Sequence, residues 1–161
     1  MTDTITRILV PVDFSPYAEH AFHYATTLAQ RLGATLTLLH VVENPLVTGA
    51  WAADIGYVPN VGELLEGVMA SAEQQLVTLK QSAAALGLAV GTTVASGRPS
   101  HAIVEHAKCG GFDLIIMGTH GRTGIAHMVM GSVAEQVVRT APCPVLTLRG
   151  IEVPAAVPAF A

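Results

Sequence analysis

The chain has 161 residues, 51% of them hydrophobic and 12% charged, with a formal net charge of −4. Such a length and apolar content describe one domain able to fill a sizeable core, and they exclude a disordered chain. The absence of any Lys/Arg run argues against a nucleic-acid partner. The first apolar run, about five residues, falls far short of the roughly 20 that a membrane span needs.

The polar start, MTDTITR, predicts no leader, and Cys109 and Cys143 lack metal-ligand spacing. Both features predict a soluble cytoplasmic protein with reduced thiols. Residues 7–12, RILVPV, predict a buried first strand with Pro11 near its end, where a missing N–H is tolerated. Asp13 comes next, then Ser15-Pro16, an N-cap with proline at the first helical position. Ala18, Ala21, Phe22, Ala25, Leu28, Ala29 and Leu32 recur at three- and four-residue steps, an amphipathic helix closing at Gly33. Residues 34–42 predict the second strand.

Residues 43–60 hold Pro45, Gly49, Trp51, Gly56, Tyr57 and Pro59 without clear periodicity, long for a connection. They read equally as a surface loop or as a flap over a site. A helix is expected over Val61–Leu86, with Asn60 and Glu63 at cap spacing. Its stripe of Leu65, Val68, Met69, Ala72, Leu76, Leu79, Ala83 and Leu86 reads as core. At roughly 39 Å its first turns should overhang the sheet, and Gly67 offers a place to bend. Residues 88–95 predict the third strand, 99–109 a helix ended by Gly110-Gly111, 113–117 the fourth strand and 143–149 the fifth. The tail, residues 151–161, carries Pro154 and Pro158 and reads as an extended arm appended to a domain over 1–150. Alternating strands and helices mean a doubly wound α/β fold: a parallel sheet covered on both faces.

The stretch Asp113–Val133, DLIIMGTHGRTGIAHMVMGSV, carries the chemistry. A strand is followed by Gly118, Gly121, Gly124 and Gly131, then by Ser132 at the start of a helix that stops before Pro142. Glycine lets main-chain N–H groups approach a ligand closely, and a helix start offers unpaired donors and partial positive charge. Together these predict an anion site, a phosphate above all. Ser132 also reads as an N-cap with Glu135 three residues on, a use that competes with phosphate contact.

The spacing Gly118, two residues, Gly121, nine residues, Gly131-Ser132 resembles the signature of the ATP-binding branch of the universal stress protein family. Ile8–Asp13 with Ser15, LLHVV at 38–42, Gly97-Arg98-Pro99 and Ala141–Val145 resemble it too, so the likeness covers about residues 5–149. The resemblance implies a five-stranded parallel sheet of order 3-2-1-4-5 and a homodimer paired antiparallel through strand 5, about residues 143–149. It implies an ATP site in which Val12 and Val41 read adenine through main-chain groups while Met117 and Gly118 line the sugar and phosphate side.

From the residues themselves, Pro11, Val12 and Val41 offer apolar surface for a base. Asp13 suits ribose hydroxyls or adenine N6, because phosphate would repel it unless Mg2+ bridged the two. Main-chain donors at Gly118, Gly121, Arg122, Gly131, Ser132 and Val133 are the expected phosphate holders. No Walker A lysine and no acidic pair beyond Asp13 accompany the loop, so no catalytic residue is assigned. A slow ATPase and a nucleotide-free scaffold remain the alternatives to a nucleotide-binding stress-response protein that tunes a partner. The seven histidines provide no third ligand for His20/His23 or His101/His106, and no metal site is expected. His40 reads as a satisfied ring ending a strand, and His120 lies inside the loop.

Overall fold

The computed structural model describes residues 4–44, 60–121 and 130–149. The interior of the expected flap, Arg122, Gly124 and the tail 151–161 lie outside these residues. The elements run β1 (Arg7–Pro11), α1 (Pro16–Leu32), β2 (Thr35–Glu43), α2 (Val61–Ala84), β3 (Val90–Gly97), α3 (Pro99–Gly110), β4 (Leu114–Gly118), α4 (Ser132–Thr140) and β5 (Val145–Leu148). Five strands form a sheet of order β3-β2-β1-β4-β5, the order implied by the family resemblance. Every pairing is parallel, with Ile8 opposite both Leu36 and Leu114 at the centre.

Alternation along the central strands divides the core in two, because successive side chains point to opposite faces. Ile8, Val10, Leu36, Leu38 and Ile116 pack against the alanine-rich face of α1 and against Leu76 and Ala83 of α2. Leu9, Leu39, Ile115 and Met117 pack on the other face against Ile103 and Ala107 of α3 and Ala134 and Val137 of α4. Ala18, Ala21, Ala25 and Ala29 are all buried, so α1 lies close to the sheet. Ser15 caps this helix, its hydroxyl accepting from the Ala18 N–H at 3.2 Å, and left-handed Gly33 closes it. Left-handed Gly111 closes α3 in the same way.

Three expectations change. The stripe of α2 is not core throughout. Its buried residues are Ala72, Leu76 and Ala83, whereas Val68 is 43% exposed, as is Leu64 beside the stripe at 52%, so the first turns extend past the sheet as its length requires. Leu86 lies beyond the helix and is exposed. Asn60 does not form the expected cap. It is left-handed (φ 66°), and its side chain makes no capping bond, since that bond needs an extended residue at this position. Strand β3 runs to Gly97, two residues past the expected end, because the longer β2 pairs with it as far as Glu43 opposite Gly97. Among the described residues no helix is long and apolar enough to cross a membrane.

Candidate functional site

The winding reverses between β1 and β4, and in open α/β sheets the crevice beyond the carboxyl ends of such strands is where ligands bind. Here β1 gives way to Val12-Asp13 and β4 gives way to Thr119–Gly121. A Cβ built on Gly121 would lie 2.7 Å from Asp13 Oδ2. The two strand ends thus meet so closely that a side chain at Gly121 would displace the Asp13 carboxylate, and the acid at the end of β1 faces the start of the glycine loop.

Asp13 is held by Ser15, two residues on. The Ser15 N–H and hydroxyl both donate to Asp13 Oδ1, at 3.0 and 2.6 Å, fixing that oxygen against the start of α1. Between the two residues Phe14 is left-handed (φ 62°), a conformation that costs an L-residue about 1–2 kcal/mol. Its ring packs on that of buried His40, centroids 4.6 Å apart. His40 Nδ1 lies 2.7 Å from the Val12 carbonyl, which can only accept, so this nitrogen carries the proton.

The glycine loop is tied at its base by Thr119, which is buried. The Thr119 N–H donates to the Leu148 carbonyl at 2.8 Å, and the Thr119 carbonyl accepts from the Gly131 N–H at 2.7 Å. Thr119 and Gly131 are thereby brought together across the loop. Gly131 is glycine for this closure, a Cβ there lying 3.2 Å from the Thr119 oxygen. His120 Nδ1 lies 3.0 Å from Thr119 Oγ1, and its ring lies 5.3 Å from that of Tyr17.

The expected site residues divide accordingly. Asp13, Gly118, Gly121 and Gly131 gather at the β1/β4 switch, and Thr119, not among those expected, joins them. Pro11 and Met117 are buried at the strand ends there, and Val41 is half-buried. Thr35 and Leu39 turn main-chain groups toward β1, with the Thr35 N–H donating to Thr6 and the Leu39 carbonyl accepting from Val12 at 2.8 Å. Alternate residues of a strand share a direction, so Val41 turns its own N–H and C=O to the same side, beyond the last residue of β1. Arg122 lies outside the described residues.

Several of these groups are already engaged within the fold. The Val12 N–H donates to the Leu39 carbonyl and the Val12 carbonyl accepts from His40, while the side chain is buried, which leaves the second lone pair of that carbonyl for the expected base contact. The Gly131 N–H was expected to hold phosphate, but it closes the loop on Thr119. Gly118 is glycine for packing: a Cβ there would lie 2.9 Å from Tyr17 Cβ and 3.0 Å from that residue's main-chain carbon and oxygen. Ser132 is not the N-cap of α4. Gly131 is, extended at φ −72° and ψ 154° without a side-chain bond, so Ser132 is the first helical residue and its hydroxyl does not cap. The first bond within α4 is from the Glu135 N–H to the Gly131 carbonyl at 2.9 Å. The amides of Ser132, Val133 and Ala134 precede it, as the first donors of any helix do.

Phe14, Tyr17 and Thr119 carry no recognisable motif, and sequence reading missed them. Asp113 was read as part of a strand, but its Oδ2 accepts from the Thr6 N–H and hydroxyl, both at 2.8 Å, and from the Arg7 N–H at 2.9 Å. This clasp joins β1 to β4 at the end of the sheet opposite the site. Those Thr6 and Arg7 bonds, with help from the Arg7 charge, hold the Asp113 carboxyl below its ordinary value of 3.8. Among the described residues no group of three His, Cys, Asp or Glu could hold a metal.

Comparison with known proteins agrees with this architecture. The profile described as "Universal stress protein family" matches residues 4–149. The Universal stress protein YxiE of Bacillus subtilis is 35% identical over 145 residues, spanning 89% of this chain and 98% of that protein. The solved structure of universal stress protein UspA from Lactobacillus plantarum is 32% identical and superposes with a TM-score of 0.78, covering 92% of this chain and all of that one. More distant structures share the fold at 21% identity: a universal stress protein in complex with cAMP at a TM-score of 0.65, and the Archaeoglobus fulgidus protein in complex with dAMP at 0.61. The first of these covers 92% of this chain and 100% of that one, and the second 88% and 96%. With the five-stranded order and the glycine spacing in place, the chain belongs to the universal stress protein family.

Proposed function

We propose that this protein binds an adenine nucleotide, ATP foremost, in the crevice between the ends of β1 and β4, and that as a homodimer it uses nucleotide state to tune a partner interaction. The observation that carries this reading is the apposition of Asp13 to Gly121, which sets a carboxylate against the start of the glycine loop at a distance a side chain there would disturb. A carboxylate repels phosphate, so Asp13 takes ribose hydroxyls or adenine N6, and the base lies along Pro11, Val41 and Met117. Phosphates then fall to the other side of the crevice. There the amides of Gly121, Ser132 and Val133 and the Ser132 hydroxyl supply donors near the positive end of α4, and Arg122, outside the described residues, is the expected further donor.

Hydrogen bonds to a charged group are worth about 1.5–3 kcal/mol each. Three or four of them, less ordering costs, reach micromolar affinity, about −8 kcal/mol. Mg2+ accompanying a nucleotide takes most of its ligands from phosphate and water, so Asp13 alone suits it without a protein cage. The shared fold supports the reading, since it holds cAMP and dAMP in two solved relatives.

Mass spectrometry of the small molecule that co-purifies, followed by titration calorimetry with ATP, tests the proposal. Expected are an adenine nucleotide in the first measurement and a micromolar Kd in the second, lost on Asp13→Ala. A protein that gives neither heat nor a thermal shift with ATP would be the nucleotide-free scaffold instead.

A further inference from the structure

Buried His40 takes no part in the ligand contacts proposed above, yet it touches the turn that carries Asp13 in two ways. Its Nδ1–H donates to the Val12 carbonyl at 2.7 Å, on the residue before Asp13. Its ring packs at 4.6 Å on Phe14, the residue after. Phe14 is one of only two non-glycine residues with positive φ among those described, and it is an aromatic residue, for which this backbone is unfavourable. Strain that persists in a folded chain needs a surrounding that over-determines it, and such strain clusters at functional sites. Here it has a geometric consequence. With Phe14 left-handed, Asp13 Oδ1 accepts from Ser15 and Oδ2 lies on the side of Gly121.

We infer that His40 is a positioning residue for nucleotide binding: from β2 it holds the Val12–Phe14 turn in its strained form, and so keeps Asp13 Oδ2 aimed across the crevice. The inference rests on the nucleotide reading of the site. It assigns the ring two separable tasks. The Nδ1 donor fixes the Val12 carbonyl. The ring face fixes Phe14. An aliphatic side chain of similar volume would fill the space and perform neither.

The test uses the full chain, ATP as the probe, and three variants. His40→Phe keeps a ring beside Phe14 and removes the donor. His40→Asn offers an amide N–H where Nδ1 stood. Asp113→Ala breaks the clasp at the far end of the sheet and serves as the stability control. Expected are a Kd for ATP about tenfold weaker in His40→Phe, recovery to within about threefold of wild type in His40→Asn, and an unchanged Kd in Asp113→Ala despite its lower Tm. A crystal structure of His40→Phe should show Asp13 Oδ2 withdrawn from Gly121.

Wild-type affinity in His40→Phe, with binding still lost in Asp13→Ala, would overturn the inference and leave the nucleotide site standing. Affinity that falls with Tm alike in His40→Phe and Asp113→Ala would reduce His40 to a packing residue and overturn it too. Failure of the wild-type protein itself to bind ATP would instead sink the nucleotide reading, and the inference with it.

Discussion

Gly118 and Gly121 share a motif but serve different physical ends. A methyl group at Gly118 would meet the main chain of α1 at Tyr17, which cannot move without shifting the helix. Gly118→Ala should therefore destabilise the fold by about 1–3 kcal/mol, the usual range for overpacking, read as a lower midpoint in denaturant unfolding. At Gly121 the obstacle is a carboxylate tip, so substitution there bears on Asp13 and the crevice more than on the core.

Asp113 supplies a pH test at the same scale. Its folded-state pKa lies below the ordinary 3.8, because the charged form accepts three hydrogen bonds. The stabilisation is fully present above 3.8 and is lost as pH falls through the lower, folded-state value. Asp113→Ala should therefore lower Tm at neutral pH, and its gap from wild type should narrow only below about pH 4. A gap constant down to about pH 2 would show that the carboxylate charge contributes nothing.

Elements divide into those anchored along their length and one that is anchored over half of it. In α2, Leu76 is fully buried between sheet and helix while Val68 is largely exposed two turns earlier. Leu76→Ala should cost about 2–5 kcal/mol and Val68→Ala less than about 0.5 kcal/mol. Equal losses in urea unfolding would mean that the first turns of α2 are packed as tightly as the last. Helix α4 shows how one residue of offset changes chemistry. Moving the N-cap from Ser132 to Gly131 takes the serine hydroxyl out of capping and places it among the first-turn donors. The capping-box spacing of Ser132 and Glu135 was a fair local reading. It lost because Gly131 is pinned to Thr119, which sets where the helix begins.

At the scale of the whole molecule, β5 is a sheet edge, half-exposed, with Leu146 and Leu148 reaching the core. An apolar edge of this kind favours pairing with another strand, and the proposed dimer would pair it with its own copy. Light scattering should return twice the chain mass, and a monomer mass would refute that pairing. Thr119 ties this edge to the loop base through the Leu148 carbonyl, so the two proposed functions meet at one residue.

The strand–helix alternation, the glycine helix ends at Gly33 and Gly111 and the Ser15 cap were all legible in the sequence, because each depends on neighbours within one turn or one strand. The strand order was legible only through family resemblance, since no local pattern says which parallel strand lies beside which. Other facts arose from contacts between residues distant in the chain: Gly131 closing on Thr119, Gly118 against Tyr17, and His40 against a left-handed Phe14. Local chemistry selected the elements and the residue types, whereas burial and close approach across the sheet decided which main-chain donors were spent inside the fold.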